Sequence, residues 1–240
     1  MFYRSLGITC KTISGYAKGY GHNAGDVISY DQKTNHAWNV VELDGTWQFI
    51  ETTWGAGHTD KNKKCNKKFT NYFLLTPPQS FITDHFPYMN NNIEDSKQWQ
   101  LLENPLTLEV YSKSIQPSEE ARHFGIKFPS HPYEVITVDN SCTIAVESKA
   151  DILLRVLCHL YDDHGSTCDE SIIVLKENNC KYRVTVRPKR KGRYELHVYG
   201  TIDKSDSCPQ LVAYLIDCVS VETDFMAYPP NRSYYGPQLD

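Results

Sequence analysis

The sequence predicts an α+β chain of two domains, dominated by β-structure, and three observations carry that prediction. Two strand-like segments rich in tryptophan flank Asp44-Gly45, short alternating apolar segments fill the second half, and the character of the chain changes at Asn104-Pro105. The 240 residues suffice for two domains with sizeable cores. With 40% hydrophobic and 22% charged residues the composition is that of an ordinary globular protein. A net charge of −4 gives no basis for a nucleic-acid partner. No apolar run is long enough to span a bilayer and the first residues lack the pattern of a signal peptide, so an intracellular protein is expected. The eight cysteines show no CxxC spacing, which argues against a zinc ribbon or a thioredoxin-type motif; most are expected as free thiols, while the even count with six in the second half leaves a secreted, disulfide-bonded reading open.

Met1 to Cys10 reads as the last turn of a helix, stopped by Gly7 and running into a strand. Thr12 to Tyr20 is a strand and turn in which Gly15 and Gly19 mark bends or close backbone approach. Neither GxGxxG nor a Walker lysine motif follows, and His22 and Asp26 read as a polar loop. His36 to Leu43 and Thr46 to Thr53 form a hairpin about Asp44-Gly45, a strong two-residue turn signal. That turn sets Leu43 opposite Thr46, Trp38 opposite Glu51 and His36 opposite Thr53. His36 and Glu51 are then diagonal neighbours on one face, with Cα atoms about 7–8 Å apart. A carboxylate there can hold one imidazole nitrogen, fix the tautomer and leave the other nitrogen as a base. The residues alone equally allow a structural histidine beside an ordinary strand-end carboxylate.

Gly55 to Lys68 reads as an exposed loop whose lysines form a solvated surface, and Phe69 to Leu75 as a strand ended by Pro77-Pro78. DHFP at 84–87 and WQLL at 99–102 flank a surface loop at Asn90 to Asn92, and Asp84 and His85 allow a catalytic reading but are read as packing residues beside an aromatic-rich element. Beyond Asn104-Pro105, strands are predicted at Glu134–Val138, Thr143–Glu147, Ile152–Tyr161, Ile172–Leu175, Tyr182–Arg187, Tyr194–Tyr199 and Leu211–Val221. Tyr182, Val184 and Val186 share one face, as do Tyr194, Leu196 and Val198, so an antiparallel sandwich is expected, with the basic stretch Pro188 to Arg193 as a hairpin turn. Asp162, Asp163 and His164 read as a plain turn rather than a metal site. No tryptophan follows Trp99, so an inter-sheet disulfide of the immunoglobulin kind is not expected. The domains are placed at 1–105 and 106–222, with 223–240 a tail or the opening of a further repeat.

The segments TISGYAKGY, HAWNVVELDGTWQFIETTWGAG, YFLLTPPQSFITDHFP and WQLL resemble the transglutaminase-like domain of the kyphoscoliosis peptidase family, which includes hillarin-type cytoskeletal proteins. The resemblance implies a partial papain-like fold, mostly β here, and a Cys-His-Asp triad. His36 matches the family histidine and Glu51 its carboxylate, with Glu where Asp is usual. The family cysteine opens a helix upstream of the LGI segment, a start that this sequence does not include. An N-terminally truncated fragment, inactive by itself, is therefore expected, and neither Cys10 nor Cys65 is expected to replace the nucleophile. FGIKFPSHP and GRYELHVYG resemble the family's immunoglobulin-like domain. The resemblance implies a cysteine peptidase or acyl-transfer protein of the cytoskeleton; the alternative is a non-catalytic adaptor using the same fold as a binding platform. Filamin-type crosslinkers or other actin-cytoskeletal proteins are the partners it implies, in the cytoplasm, with no cofactor and no metal.

Overall fold

Asp44 and Gly45 adopt φ of 50° and 75°, the mirror-type turn that matches the twist of a tight hairpin. That turn joins β2 (His36–Leu43) to β3 (Thr46–Ile50) in the expected register, Leu43 opposite Thr46 and Asn39 opposite Ile50. The computed structural model describes residues 5–59, 65–160, 168, 171–178, 180–202 and 208–221. Two compact units divide the chain, Met1–Ser112 and Lys113–Asp240, whereas the sequence placed the boundary at Asn104-Pro105. Leu108 and Tyr111 pack with Tyr16, Ile82 and Phe86, which keeps this stretch with the first unit.

In the first unit β1 (Cys10–Ala17) follows Gly7, whose φ of 75° ends the preceding turn. β1 lies between β2 and a short later strand, so its side chains meet neighbours on both flanks. After β3 come α1 (Thr52–Gly55), then β4 (Gly57–Thr59) and β5 (Cys65–Lys67), an antiparallel pair where a plain loop was expected. The strand expected from Phe69 to Leu75 is shorter and later: β6 (Leu74–Thr76). Phe69 is 79% exposed and residues 71–73 turn, so the apolar run was a turn followed by three paired residues. α2 (Pro78–Phe81) starts on the proline pair, with Pro at its first turn as helix geometry allows. β7 (His85–Pro87) then pairs antiparallel with β1, Ala17 opposite His85. The sheet order is β6-β3-β2-β1-β7. Asn90 and Asn91 both have φ of 53°, and Asn92 caps α3 (Ile93–Gln98) by accepting from Glu94 and Asp95 amides, so the asparagine run is a helix start as well as a loop. Ile13, Trp38, Val40, Phe49, Phe81 and Trp99 form the core beside this sheet.

α4 (Leu108–Lys113) leads to α5 (Glu119–His123), which is capped by Ser118. The second unit has all seven strands where the alternation placed them: β8 (Val135–Asp139), β9 (Cys142–Glu147), β10 (Leu153–Leu160), β11 (Ile172–Asn178), β12 (Lys181–Val186), β13 (Gly192–Thr201) and β14 (Gln210–Ser220). They form two sheets, β10-β13-β14-β8 and β11-β12-β9. Ile144, Val184, Leu196, Val198 and Tyr214, all buried, come from both sheets and share one core, the pattern of a sandwich.

Two expectations need correction. The sandwich is not wholly antiparallel, because β8 and β14 pair in parallel, Leu215 opposite Val135 and Cys218 opposite Val138. A parallel pair needs a long connection, and here the rest of the sandwich supplies it. Pro188 to Arg193 is not a hairpin turn either: β12 pairs with β9 and β11, and β13 with β10 and β14, so this basic stretch carries the chain from one sheet to the other. Alternation reports faces, not partners, so the two corrections share one cause. The turn expected at Asp162 to His164 and the tail expected at 223–240 lie outside the described residues.

Candidate functional site

His36 and Glu51 meet, but not as a cross-strand diagonal: the β2–β3 pairing ends at Asn39 opposite Ile50, and Thr52 and Thr53, expected as strand, open the short helix Thr52–Gly55 that Glu51 caps. His36 Nε2 donates to Glu51 Oε2 at 2.6 Å. Glu51 is only 1% exposed and His36 17%. The other carboxylate oxygen is used as well: Oε1 caps α1, accepting from the backbone N–H of Thr53 at 2.6 Å and of Trp54 at 3.2 Å. The Glu51 backbone N–H donates to the Phe73 carbonyl at 3.0 Å, so main chain and side chain are both held.

Burial alone pushes the Glu51 carboxyl up, but the pull of His36, with that of His85 behind it, outweighs burial and brings the pKa down to about 2. Glu51 is therefore a carboxylate at neutral pH. With Nε2 committed to it, Nδ1 is the His36 nitrogen left for proton transfer. The imidazole stacks on Trp54, ring centroids 5.4 Å apart and planes 29° apart, which holds it in the plane set by the carboxylate.

His85, for which packing was favoured over a catalytic reading, is packed and also stands beside the site carboxylate. It is 0% exposed and its Nε2 lies 3.6 Å from Glu51 Oε2, on the same oxygen that holds His36. Phe81 stacks on it at 4.3 Å, with Trp54 at 4.4 Å and Trp38 edge-on at 5.0 Å. Among the described residues neither ring nitrogen reaches a hydrogen-bond partner. Burial pushes its pKa down, against the pull of Glu51, so His85 is held neutral beside the carboxylate. No local motif announces this neighbour, because the β1–β7 pairing that places it is not written in the spacing. His36, Glu51 and His85 present donor atoms within 4.8 Å of one another, compact enough to hold a small cation as well as to relay a proton.

The other candidates separate from this pair. Cys10 sits opposite Val41 in β2, whereas His36 sits opposite Gly15. That offset along the strand, about 17 Å at a strand's rise per residue, puts the Cys10 thiol out of reach of His36. The Cys65 side chain lies outside the described residues. His22 and Asp26 help line a cleft of about 400 Å³ with Gly19, Tyr20 and Asn35, and neither His36 nor Glu51 is in its lining.

Residues 118–229 match the family described as the KY-like, immunoglobulin-like domain. Over 95% of its length the chain is 31% identical to kyphoscoliosis peptidase of Mus musculus, of which it covers 32%. It is 26% identical to hillarin of Drosophila melanogaster over 64% of this chain and 19% of hillarin. A third similarity is to the Lim and transglutaminase domain protein ltd-1 of Caenorhabditis elegans, 31% identical over 42% of this chain and 14% of that protein. The chain thus spans about a third of the length of the kyphoscoliosis peptidases it matches.

Proposed function

Since this chain belongs to the family of kyphoscoliosis peptidase and hillarin, we propose that it is the histidine-carboxylate half of a transglutaminase-like cysteine peptidase or acyl-transfer protein of the cytoskeleton. In this reading residues 1–112 are part of a papain-like domain. His36 is the general base and acid, Glu51 is its orienting carboxylate, and the thiol comes from a segment of the whole protein beyond these 240 residues. The observation that carries the reading is the 2.6 Å bond from His36 Nε2 to a carboxylate that is buried and anchored by the first turn of α1. Such an anchored carboxylate fixes the imidazole tautomer and stabilises the imidazolium that forms.

The chemistry follows from these roles. A thiolate attacks the amide carbon, and the bond to nitrogen breaks as the His36 imidazolium gives its proton from Nδ1 to the departing amine. Water or an amine then attacks the thioester carbon, His36 takes the proton of that nucleophile, and the carbon–sulfur bond breaks, releasing the acid or the new amide and restoring the thiolate. Glu51 stays ionised throughout.

The test uses the full-length protein and a thiol-reactive peptide-amide probe. A single cysteine outside residues 1–240 should be labelled, with the rate falling at least about 100-fold in His36→Ala. Labelling that is indifferent to His36→Ala overturns the assignment. So does His36-dependent labelling of Cys10 or Cys65.

One observation favours a second reading. The same two oxygens of Glu51 tie β2, β3 and α1 together, and a staple of this kind needs no catalysis. In that case the fold serves as a non-catalytic binding platform for actin-cytoskeletal proteins, filamin-type crosslinkers among them, in the cytoplasm. Full-length protein that takes up no probe, yet co-sediments with filamin-crosslinked actin, is the result this reading expects.

A further inference from the structure

The second unit carries a cluster that neither the catalytic nor the adaptor reading uses. In β10 and β13 the register puts His159 directly opposite Glu195, and His197 two positions on from Glu195 lies on the same face. Tyr194, Leu196 and Val198 alternate with these residues and are buried in the core, so the cluster stands on the outer face of the four-stranded sheet. The three side chains are 16%, 23% and 22% exposed for His159, Glu195 and His197, half-sunk rather than freely solvated.

We propose that His159, Glu195 and His197 form a binding site for a divalent transition-metal cation of the zinc class. Both imidazoles point Nε2 at one carboxylate oxygen: His159 Nε2 is 2.8 Å and His197 Nε2 is 3.6 Å from Glu195 Oε2. Two donors each about 2.0–2.2 Å from a tetrahedral cation lie about 3.3–3.5 Å from each other, so the spacing already brackets that of a filled site. The three donor atoms all fall within 4.8 Å.

The hydrogen-bonding pattern explains why a simple ion pair does not exhaust this geometry. His197 Nδ1 lies 3.0 Å from Gln210 Oε1, and an amide oxygen only accepts, so Nδ1 carries the hydrogen. In the tautomer with hydrogen on Nδ1 alone, Nε2 turns its lone pair toward the carboxylate oxygen, and a cation between the two is what joins them. The two imidazole rings also stack, 5.5 Å apart and 18° from parallel, which keeps them side by side at the shared carboxylate oxygen.

Gln210 then acts as the outer partner that orients a metal-bound imidazole. His159, which donates to Glu195 in the metal-free state, presents its Nε2 lone pair instead, its hydrogen moving to Nδ1 or leaving to solvent. Two imidazoles and a carboxylate favour zinc-class ions over magnesium or calcium, which take oxygen ligands. Three protein ligands leave a fourth position open to water or to an outside donor. The members of this cluster are separated along the chain and meet only through strand pairing, so no spacing in the sequence announces them.

The test titrates the whole 240-residue chain with Co²⁺ as a spectroscopic probe and then displaces it with Zn²⁺. A visible d–d band of tetrahedral intensity, saturating at one equivalent and lost on adding Zn²⁺, is expected. Glu195→Gln and His197→Ala should each weaken Co²⁺ binding at least 10-fold, and Gln210→Ala should weaken it by about 10-fold. All three positions lie on an outer sheet face, and an unchanged far-ultraviolet spectrum confirms that each variant folds. His36→Ala should leave the band intact. Absence of the band, its survival in a His159→Ala, His197→Ala double variant, or its loss in His36→Ala alone overturns the proposal.

Discussion

Glu51 uses one oxygen to cap α1 and the other to hold His36, with His85 on the same side. Its depressed pKa makes it a stability element with a definite pH window. Folded Glu51 titrates near 2 against an ordinary value of 4.5, so its contribution is full above about pH 4.5 and is lost as pH falls toward 2. His85 acts in the same direction for a different reason. Its folded pKa lies below 6.5, so the unfolded chain takes up the proton first and stability begins to fall as pH drops through 6.5. Thermal melts across pH should therefore show two slopes. His85→Phe, which keeps the aromatic packing, should flatten the one that begins near pH 6.5. Glu51→Gln should flatten the one below pH 4.5, worth at most about 3 kcal/mol. Slopes that remain unchanged in both variants would show that neither group governs acid unfolding. The closeness of His36 and Glu51 was legible in the sequence because the two-residue turn fixes the register up to Asn39 opposite Ile50, but the helix that Glu51 caps in place of a longer strand was not. The His85 contact was not, because it depends on a strand paired from the far edge of the sheet.

At the scale of elements, Gly15 shows what the central strand demands. A Cβ placed there would lie 2.1 Å from the Phe86 carbonyl oxygen and 2.6 Å from the Trp38 ring, one from each neighbouring strand. Gly15→Ala should destabilise the protein by more than about 2 kcal/mol in denaturant titrations, because neither backbone nor buried indole can retreat cheaply. A cost below about 0.5 kcal/mol would mean that β7 detaches readily from β1. Asn92→Ala should cost about 1 kcal/mol, the ordinary worth of a lost cap. The strands of the second unit were legible because strict alternation reports a half-buried strand directly. Helix starts at Asn92 and Ser118 carry cap residues too, but these helices span at most six residues, too short for a periodic stripe to stand out. The strand expected at Phe69 failed for the converse reason: apolar content without alternation does not separate a strand from a turn.

For the molecule as a whole, each unit has its own core, and the sequence marked the change of character within a few residues of where the structure divides. What it did not reveal was how the sandwich closes. β8 enters the sheet at Val135 and β14 leaves it at Ser220, and the two run side by side in the same direction. The incoming chain and the outgoing chain therefore lie at opposite ends of one bonded pair. If tension is applied through the chain on either side of this domain, the pair is loaded in shear: its bonds must fail together rather than peel open one after another. Single-molecule pulling should accordingly give a higher rupture force than the same domain pulled through a loop that unzips β10 from β13. Ile216→Pro, facing Ile136, should lower that force more than it changes any contact in the other sheet. A pair loaded in this way resists tension along the chain more firmly than one that peels.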